Sequence, residues 1–420
     1  MTDLPTGFLP DYGAFARAVY QTGILSDPWL YGEPRFSMNG VVLTPEFAGR
    51  LAEVGEAVAY LHEELVEILS ENQDLVSSFF RLTPWQRLMW EASGGLWHGM
   101  ARADVFECED GRLQCCELNS DTPSGQPEAV ILNRLLHANH PETIDPNEGF
   151  GERFVEMLRE SNAKRTTEPM KTAAIIYPTE LTEDLGMIAI FTRWLEAAGI
   201  QVVAGSPFNI RRTPTGITVF GEPVDLVVRH YKTDWWGERE VVWADAEDYL
   251  DDEPLEGPLV ALLDAEVQGQ VTVVNPFGAV ITQNKLSLAF FWEEKARFSP
   301  EAQELIEQFI PETRRMAGMS HDRLRAEREQ WVLKSDYGCE GAETVCGPFV
   351  TQEIWEKTVD LALPEHFVAQ KFFQARADEN GYIPNYGVFI LGGGAAGYFT
   401  RLSKTSTEYS AVTVPTFVGT

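Results

Sequence analysis

The chain has 420 residues, 44% hydrophobic and 11% aromatic, enough to bury cores for two or three structural units. Its 64 acidic residues outnumber 33 Lys and Arg and leave a formal net charge of -31. Such a surface repels nucleic-acid backbone and anionic membranes, so neither is expected as a partner, whereas a cationic partner such as an amine is tolerated.

Residues 1–95 read as mainly helical. The opening MTDLPTGFLPDYGAF has neither a basic start nor an apolar core, so no secretory signal is expected. No stretch approaches the roughly 18 apolar residues of a membrane span. Thr44 to Leu69 is apolar at helical spacing, with Thr44 as N-cap, Pro45 at the first helical position and Glu46 in the first turn. Phe47 stands three after the cap, which excludes a capping box there. A second helix is expected from Thr83-Pro84 through Trp90, and Phe79, Phe80, Trp85 and Trp90 read as core.

Residues 96–170 begin with an acidic hairpin. Glu109-Asp110-Gly111 lies between two apolar runs, a strong turn signal. Glu117 and Asn119 lie two apart on the second strand and share a face; Asp104 stands on the first strand. These oxygens suit magnesium, which usually also takes oxygens from a substrate phosphate; a hairpin with its acids simply facing water fits the same residues. Pro127 to His137 reads as a helix just after Ser124-Gly125. Its first N–H groups either face an anion or close an ordinary loop-to-helix joint. A further helix runs from Gly151 to Ser161.

At Lys171 the pattern turns to alternating strands and helices, over residues 171–265. The strand Thr172–Tyr177, the helix Thr182–Ala198 closed by Gly199, the strand from Ile200 and the strand Val224–Arg229 predict an α/β unit with a parallel sheet. No GxGxxG follows the first strand, so a dinucleotide fold gains no support. Arg229-His230-Tyr231 ends the last strand, either as a functional edge or as a structural pair.

Residues 266–420 are richest in chemistry. Lys285 opens a helix after Asn275-Pro-Phe-Gly and Gln283-Asn284. Short helices are expected at Glu301–Ile310 and Asp322–Glu327. Lys334 ends the strand Trp331–Lys334, and Gly338 and Gly341 lie in the following loop. A glycine loop beside a strand lysine can wrap phosphates, although the P-loop pattern is absent and a snorkelling surface lysine reads the same way. Phe367 to Gln374 reads as a strand, and Tyr386 to Arg401 as two strands joined at Gly392-Gly393-Gly394. Cys108, Cys115, Cys116, Cys339 and Cys346 form neither a disulfide framework nor a zinc pattern, so thiols in a reducing cytoplasm are expected.

Taken in order, five of these segments resemble the synthetase domain of the glutathionylspermidine synthase family, carboxylate–amine ligases of the ATP-grasp fold. Arg102-Ala-Asp104 and its hairpin are similar to that family's R-x-D-F…E-x-N-A-D segment. Asn275-Pro-Phe-Gly…Gln-Asn-Lys285 is similar to its lysine at a helix start, and Trp331-Val-Leu-Lys334…Gly338…Glu340-Gly341 to its second nucleotide lysine and glycine loop. Phe367-Val-Ala-Gln370-Lys-Phe-Phe resembles its hinge, and Gly392-Gly-Gly-Ala-Ala-Gly397…Arg401 its late G-G-x-x-A/C-G…R segment. Asp121-Thr-Pro-Ser-Gly looks like the short synthetase-only members, and no cysteine precedes Cys108, where bifunctional members carry an amidase cysteine. Ser410-Ala-Val-Thr-Val-Pro415 departs from the family's S-R-F-x-P-H, lacking the arginine and histidine.

The resemblance implies an α+β, ATP-grasp fold with rearranged motif order, a helical N-terminal region and an inserted α/β subdomain. It implies ATP and Mg2+ as cofactors, a small acid (peptide or amino acid) and an amine as substrates, and an acyl-phosphate intermediate. Asp104, Glu117 and Asn119 would hold the metal. Lys285, Lys334, Gly338, Gly341, Gln370, Lys371 and Phe372 would bind nucleotide. Arg102 and Arg401 would be catalytic, and Ser120, Asp121 and Ser124 would approach the acid substrate. A non-catalytic ATP-binding scaffold or sensor of the same fold is the alternative, motivated by the altered C-terminal segment.

Overall fold

A computed structural model describes residues 7–166, 168–179, 184–238, 255–338, 344–404 and 411–420. A five-stranded antiparallel sheet lies at its centre, in the order Val412–Val414, Gly394–Ser403, Ile383–Leu391, Met100–Glu107, Leu113–Asn119. The expected hairpin is its last strand pair. The glycine run joins two other strands: Leu391 pairs with Gly394 across a two-residue turn in which Gly392 and Gly393 have φ of 57° and 94°. Both values are open to glycine and costly for other residues, which is why this turn takes glycines.

The helix Pro45–Glu71 covers one face of this sheet. Thr44 caps it, its side chain accepting from the Phe47 N–H at 3.1 Å. Leu51, Val58, Leu61, Leu65 and Leu69 fall on its buried stripe and meet Ala101, Ala103, Val105, Val388 and Ile390 from the strands. The next helix, Pro84–Ser93, closes a capping box between Thr83 and Gln86. The opposite sheet face is apolar at one end, through Met100, Phe389 and Phe399, and charged at the other.

The α/β unit forms as expected. Thr272–Val274, Leu226–Arg229, Thr172–Ile176 and Gln201–Gly205 make one parallel sheet in that order. Its strands other than the half-exposed edge strand Gln201–Gly205 read as apolar runs because both faces are buried. Ala173, Ile175 and Val228 pack on one side with the helices Phe150–Ala163 and Leu185–Ala197, while Ala174, Ile176 and Val227 pack on the other with Glu256–Val267. The strand Thr272–Val274, beyond residue 265, supplies the fourth member of this sheet.

A third, antiparallel sheet runs Thr313–Arg315, Phe367–Lys371, Trp331–Ser335, Thr344–Cys346. Trp331, Leu333 and Ala369 face the helices His321–Ala326 and Gln352–Leu361. Alternation therefore turns Val332, Lys334 and Gln370 the other way, towards the acidic hairpin. Among the described residues no helix is long and apolar enough to cross a membrane.

Several ionisable groups are buried or half-buried away from the charged face. His62 bonds the Val58 carbonyl at 2.8 Å, and His98 stacks on Trp97 and accepts the Gly393 N–H at 2.8 Å. Burial pushes both imidazoles down to about 4. Glu266 is 1% exposed, 3.4 Å from Arg165, and burial pushes it up to about 7.

Candidate active site

The hairpin pairs Asp104 with Glu117 and Arg102 with Asn119, which puts all four side chains on one face. The register then slips: Val105 pairs with Cys115, leaving Cys116 as an extra residue. This β-bulge changes the parity of the strand. Cys115 joins Val105 in the core, whereas Glu117 and Asn119 stay on the charged face with Asp104. The Cys116 carbonyl is turned to side chains, accepting from Lys334 Nζ at 3.0 Å and Gln370 Nε2 at 3.3 Å. One bulged residue thus docks the third sheet on the hairpin.

Asp104 is 1% exposed. Arg102 grips it with two bonds, Nε to Oδ1 at 2.7 Å and Nη2 to Oδ2 at 3.1 Å. Arg401 Nη2 donates to the same Oδ2 at 2.8 Å. Burial alone would raise the Asp104 carboxyl, but Arg102 and Arg401 hold it below the usual carboxylate value. Burial lowers the Arg401 pKa below the ordinary guanidinium value. For Arg102 the burial is outweighed by Asp104, and its pKa rises. Both guanidiniums lie against the Phe399 ring, at 5.6 and 5.5 Å from its centroid.

Gly387 makes room for this pair. A Cβ there would stand 2.8 Å from Arg102 Cδ and 3.0 Å from the Phe399 carbonyl. Gly387→Ala is therefore expected to cost about 1–3 kcal/mol, as overpacking usually does. Urea unfolding should show a lower midpoint at an unchanged slope.

Lys285 is buried where the helix Leu286–Glu293 begins. Its Nζ bonds the Gly338 carbonyl and lies 3.7 Å from Glu117 Oε2. Lys334 is buried too. Burial would lower its pKa, but Cys116 and Glu117 outweigh that and raise it, so the ammonium stays charged. Gln370 also reaches Thr313 Oγ1 at 3.2 Å. Its neighbour Lys371 points to the opposite face, over Trp331 at 4.6 Å and onto Gln330 Oε1 at 2.7 Å. Phe372 packs edge-on against Phe349. The structure thus gathers Arg102, Asp104, Glu117, Asn119, Lys285, Lys334, Gly338, Gln370 and Arg401, and leaves the side chains of Lys371 and Phe372 outside. Gly341 lies outside the described residues, as does Ser410.

Ser120 and Asp121 are buried and consumed by internal bonds. Ser120 Oγ meets Thr282 Oγ1 at 2.8 Å, and the Ser120 and Asp121 N–H groups both donate to Gln283 Oε1. Asp121 pairs with Arg229 at 2.5 Å and accepts from Thr233 N–H at 2.7 Å. Asn275 Nδ2 donates to both Ser120 and Asp121 carbonyls, at 2.8 and 3.0 Å. These bonds tie the hairpin to the carboxyl end of the parallel sheet. Ser124 is exposed, and its carbonyl accepts from Arg102 Nη1 at 2.6 Å. Arg229 and His230 both have carboxylate partners, His230 meeting Asp184 at 3.1 Å.

Sequence reasoning missed Thr233, Asp234, Phe399 and Asn385, whose side chain also bonds Asp104. It quoted Asn275 and Gln283 only as flanks of Lys285. Burial, with Asp121 nearby, pushes the Asp234 carboxyl up to about 6. A Thr-Asp dipeptide after a strand carries no signal of such a setting.

No group of three or more His, Cys, Asp or Glu among the described residues is arranged to hold a metal. Two carboxylates and an amide on one face are nevertheless the hard-oxygen donors that magnesium takes alongside phosphate and water. The Asn119 amide nitrogen is buried without a partner, so no protein acceptor dictates which way its oxygen points. Asp104, Glu117 and Asn119 therefore fit magnesium by donor type, with Asp104 already engaged by two arginines.

A model of the glutathionylspermidine synthase preATP-grasp family matches residues 87–419. No curated protein matches the chain. Among solved structures, a glutathione synthetase like-effector from Globodera pallida, in apoform, is similar with a TM-score of 0.61 and 12% identity, over 96% of this chain and 95% of that one. That likeness speaks for the fold. A putative gamma-glutamylcysteine synthetase from Methylobacillus flagellatus is similar with a TM-score of 0.47 and 13% identity, over 84% and 86%.

Proposed function

The chain belongs to the glutathionylspermidine synthase preATP-grasp family, and from that we propose that it is an ATP- and Mg2+-dependent ligase joining a small acid to an amine. The acid is a peptide or amino acid. The observation that carries this reading is the convergence of Lys285, Lys334 and Gln370 on the hairpin that bears Arg102, Asp104 and Glu117, with Arg401 reaching Asp104 from the strand Gly394–Ser403. Segments more than 200 residues apart in sequence meet at one carbonyl.

In the proposed reaction the γ-phosphoryl group of ATP passes to the acid's carboxylate and ADP leaves. The amine then attacks the acyl phosphate, the amide bond forms, phosphate departs and the amine gives up a proton. The barrier is largely crowded negative charge, which fixed cations relieve without reorganising. Lys285 and Lys334 would hold nucleotide phosphates, and Gln370 would face the adenine. Arg102 and Arg401 would stabilise the transferring phosphoryl group. Asp104, Glu117 and Asn119 would hold magnesium, which neutralises phosphate oxygens when bound. The exposed Ser124, beside Arg102, marks the approach of the acid, while Ser120 and Asp121 fix that edge from beneath. Gly338 belongs to the loop, and Lys371 and Phe372 to the strand end, that would flank the nucleotide; Gly341 would join them by the family resemblance.

The domain division proposed with this function has a helical cover over 1–95, the metal hairpin within 96–170, the α/β unit over 171–265 and the nucleotide part over 266–420. Thr272–Val274 completes the α/β sheet from the last of these. A reducing cytoplasm suits the free thiols.

The test is ADP release across a matrix of acids and amines, preceded by a melting scan with ATP and magnesium. Release that needs both an acid and an amine supports the ligase. Nucleotide-dependent stabilisation with no substrate-dependent release would make the protein a nucleotide-binding scaffold or sensor instead. No stabilisation at all would sink both.

A further inference from the structure

Resting on the ligase reading, we propose that Asp104 is an exchange carboxylate. Without ligand it holds Arg102 and Arg401; when magnesium and nucleotide enter, it passes to the metal and releases both guanidiniums to the incoming anion. Asp104 is then a positioning residue for two arginines as well as a ligand, and its two duties alternate.

The bond inventory argues for alternation. Three guanidinium N–H groups already occupy the Asp104 oxygens, Arg102 Nε on Oδ1 and Arg102 Nη2 with Arg401 Nη2 on Oδ2, and the Asn385 side chain adds a further hydrogen bond. A carboxylate offers about four lone-pair sites in all. A divalent cation added there would also face two fixed positive charges. Like charges at such range repel unless an anion intervenes.

The surroundings are built for release. Arg102 keeps a second anchor through Nη1 on the Ser124 carbonyl, and both guanidiniums keep the Phe399 ring. Turning Asp104 away therefore leaves the arginines seated and unneutralised. Arg401 Nε is already buried without an acceptor. A phosphoryl oxygen would satisfy that donor, so the anion replaces what the carboxylate gives up. Metal and anion then favour one another: the metal frees the arginines, and the anion offsets their repulsion of the metal.

Calorimetric titration tests this with two anion probes, ATP and inorganic tripolyphosphate, each with EDTA and with magnesium. In the wild type magnesium should tighten both by about tenfold or more. Asp104→Asn should bind both metal-free probes about tenfold tighter than the wild type and gain little from magnesium. A purely structural role for Asp104 predicts the opposite, weaker binding of every probe. Metal-free affinity in Asp104→Asn that equals or falls below wild type overturns the proposal. Arg401→Gln gives a second measurement if Asp104→Asn does not fold. With one arginine gone, Mn2+ alone should bind more tightly, read from the free-ion spin-resonance signal; unchanged or weaker binding overturns the exchange. Failure of the ligase reading is distinct: the wild type would then ignore ATP with magnesium, while tripolyphosphate and Mn2+ would still report whether the arginines and the carboxylate compete.

Discussion

Lys334→Ala is expected to abolish the stabilisation that ATP with magnesium gives the wild type, about 2.7 kcal/mol at one hundred times the dissociation constant. Turnover should go with it. The ligand-free protein should fold but melt lower, because a buried side chain and its hydrogen bond are lost. Lys334 is a buried ammonium whose direct bond is to the Cys116 carbonyl, and Gln370 also donates to that oxygen. The surroundings that raise the Lys334 pKa outweigh the cost of burying its ammonium, so the nucleotide shift is read against the mutant's own lower baseline. A mutant that unfolds cooperatively and shows no nucleotide shift would show that Lys334 serves the ligand as well as the fold. A mutant that keeps the full shift would mean that nucleotide binds elsewhere, and the site drawn around Cys116 would be wrong.

Glu266→Gln is expected to stabilise the protein at pH 8 and to make no difference at pH 4. The folded-state pKa of Glu266 is raised from 4.5 to about 7. The folded protein therefore binds more protons than the unfolded chain between these values, and stability falls as pH rises through that window. At 1.36 kcal/mol per unit, the penalty above pH 7 is on the order of 3 kcal/mol. Arg165 loses a partner in the mutant but keeps the Ser93 carbonyl. His62 and His98 act in the other sense. Their folded pKa values are lowered from 6.5 to about 4, so the stability they contribute is present above 6.5 and lost as pH falls through 4. In the wild type the two effects offset each other across the mildly acidic range. Removing Glu266 should expose the histidine arm, as steeper acid unfolding in the mutant. Urea midpoints at pH 4, 6 and 8 check the sign and the size together; equal midpoints at pH 8 would contradict the buried-carboxyl argument.

What could be read from the residues was whatever depends on neighbours in sequence. Asp-Gly between apolar runs located the hairpin turn, period-two spacing put Glu117 beside Asn119, and apolar runs between helices foretold the parallel sheet. Thr44-Pro45 marked its helix start for the same local reason. The bulge at Cys116 was not legible, because it comes from how two strands settle against a core and from two side chains arriving more than 200 residues later. Ser120 and Asp121 sat in a motif that suggested substrate, yet their bonds run to Arg229, Thr233, Asn275 and Gln283. Lys371 was grouped with Gln370 by adjacency, although strand alternation sends them to opposite faces. The arginine clamp on Asp104 was half legible, since Arg102 and Asp104 share a face at a spacing of two, but Arg401 arrives through sheet topology.

Because Lys334 and Gln370 both bond a main-chain oxygen, position 116 is under a constraint of length and not of identity. A library built over the hairpin should accept serine, alanine or threonine for the thiol, since any residue supplies the carbonyl. Deleting that one residue would flip everything before it on the strand, moving Cys115 out of the core or pulling Glu117 into it. Tolerance to exchange and intolerance to a one-codon gap would then coincide at the same position, a pattern that a substitution scan alone would record as unimportant.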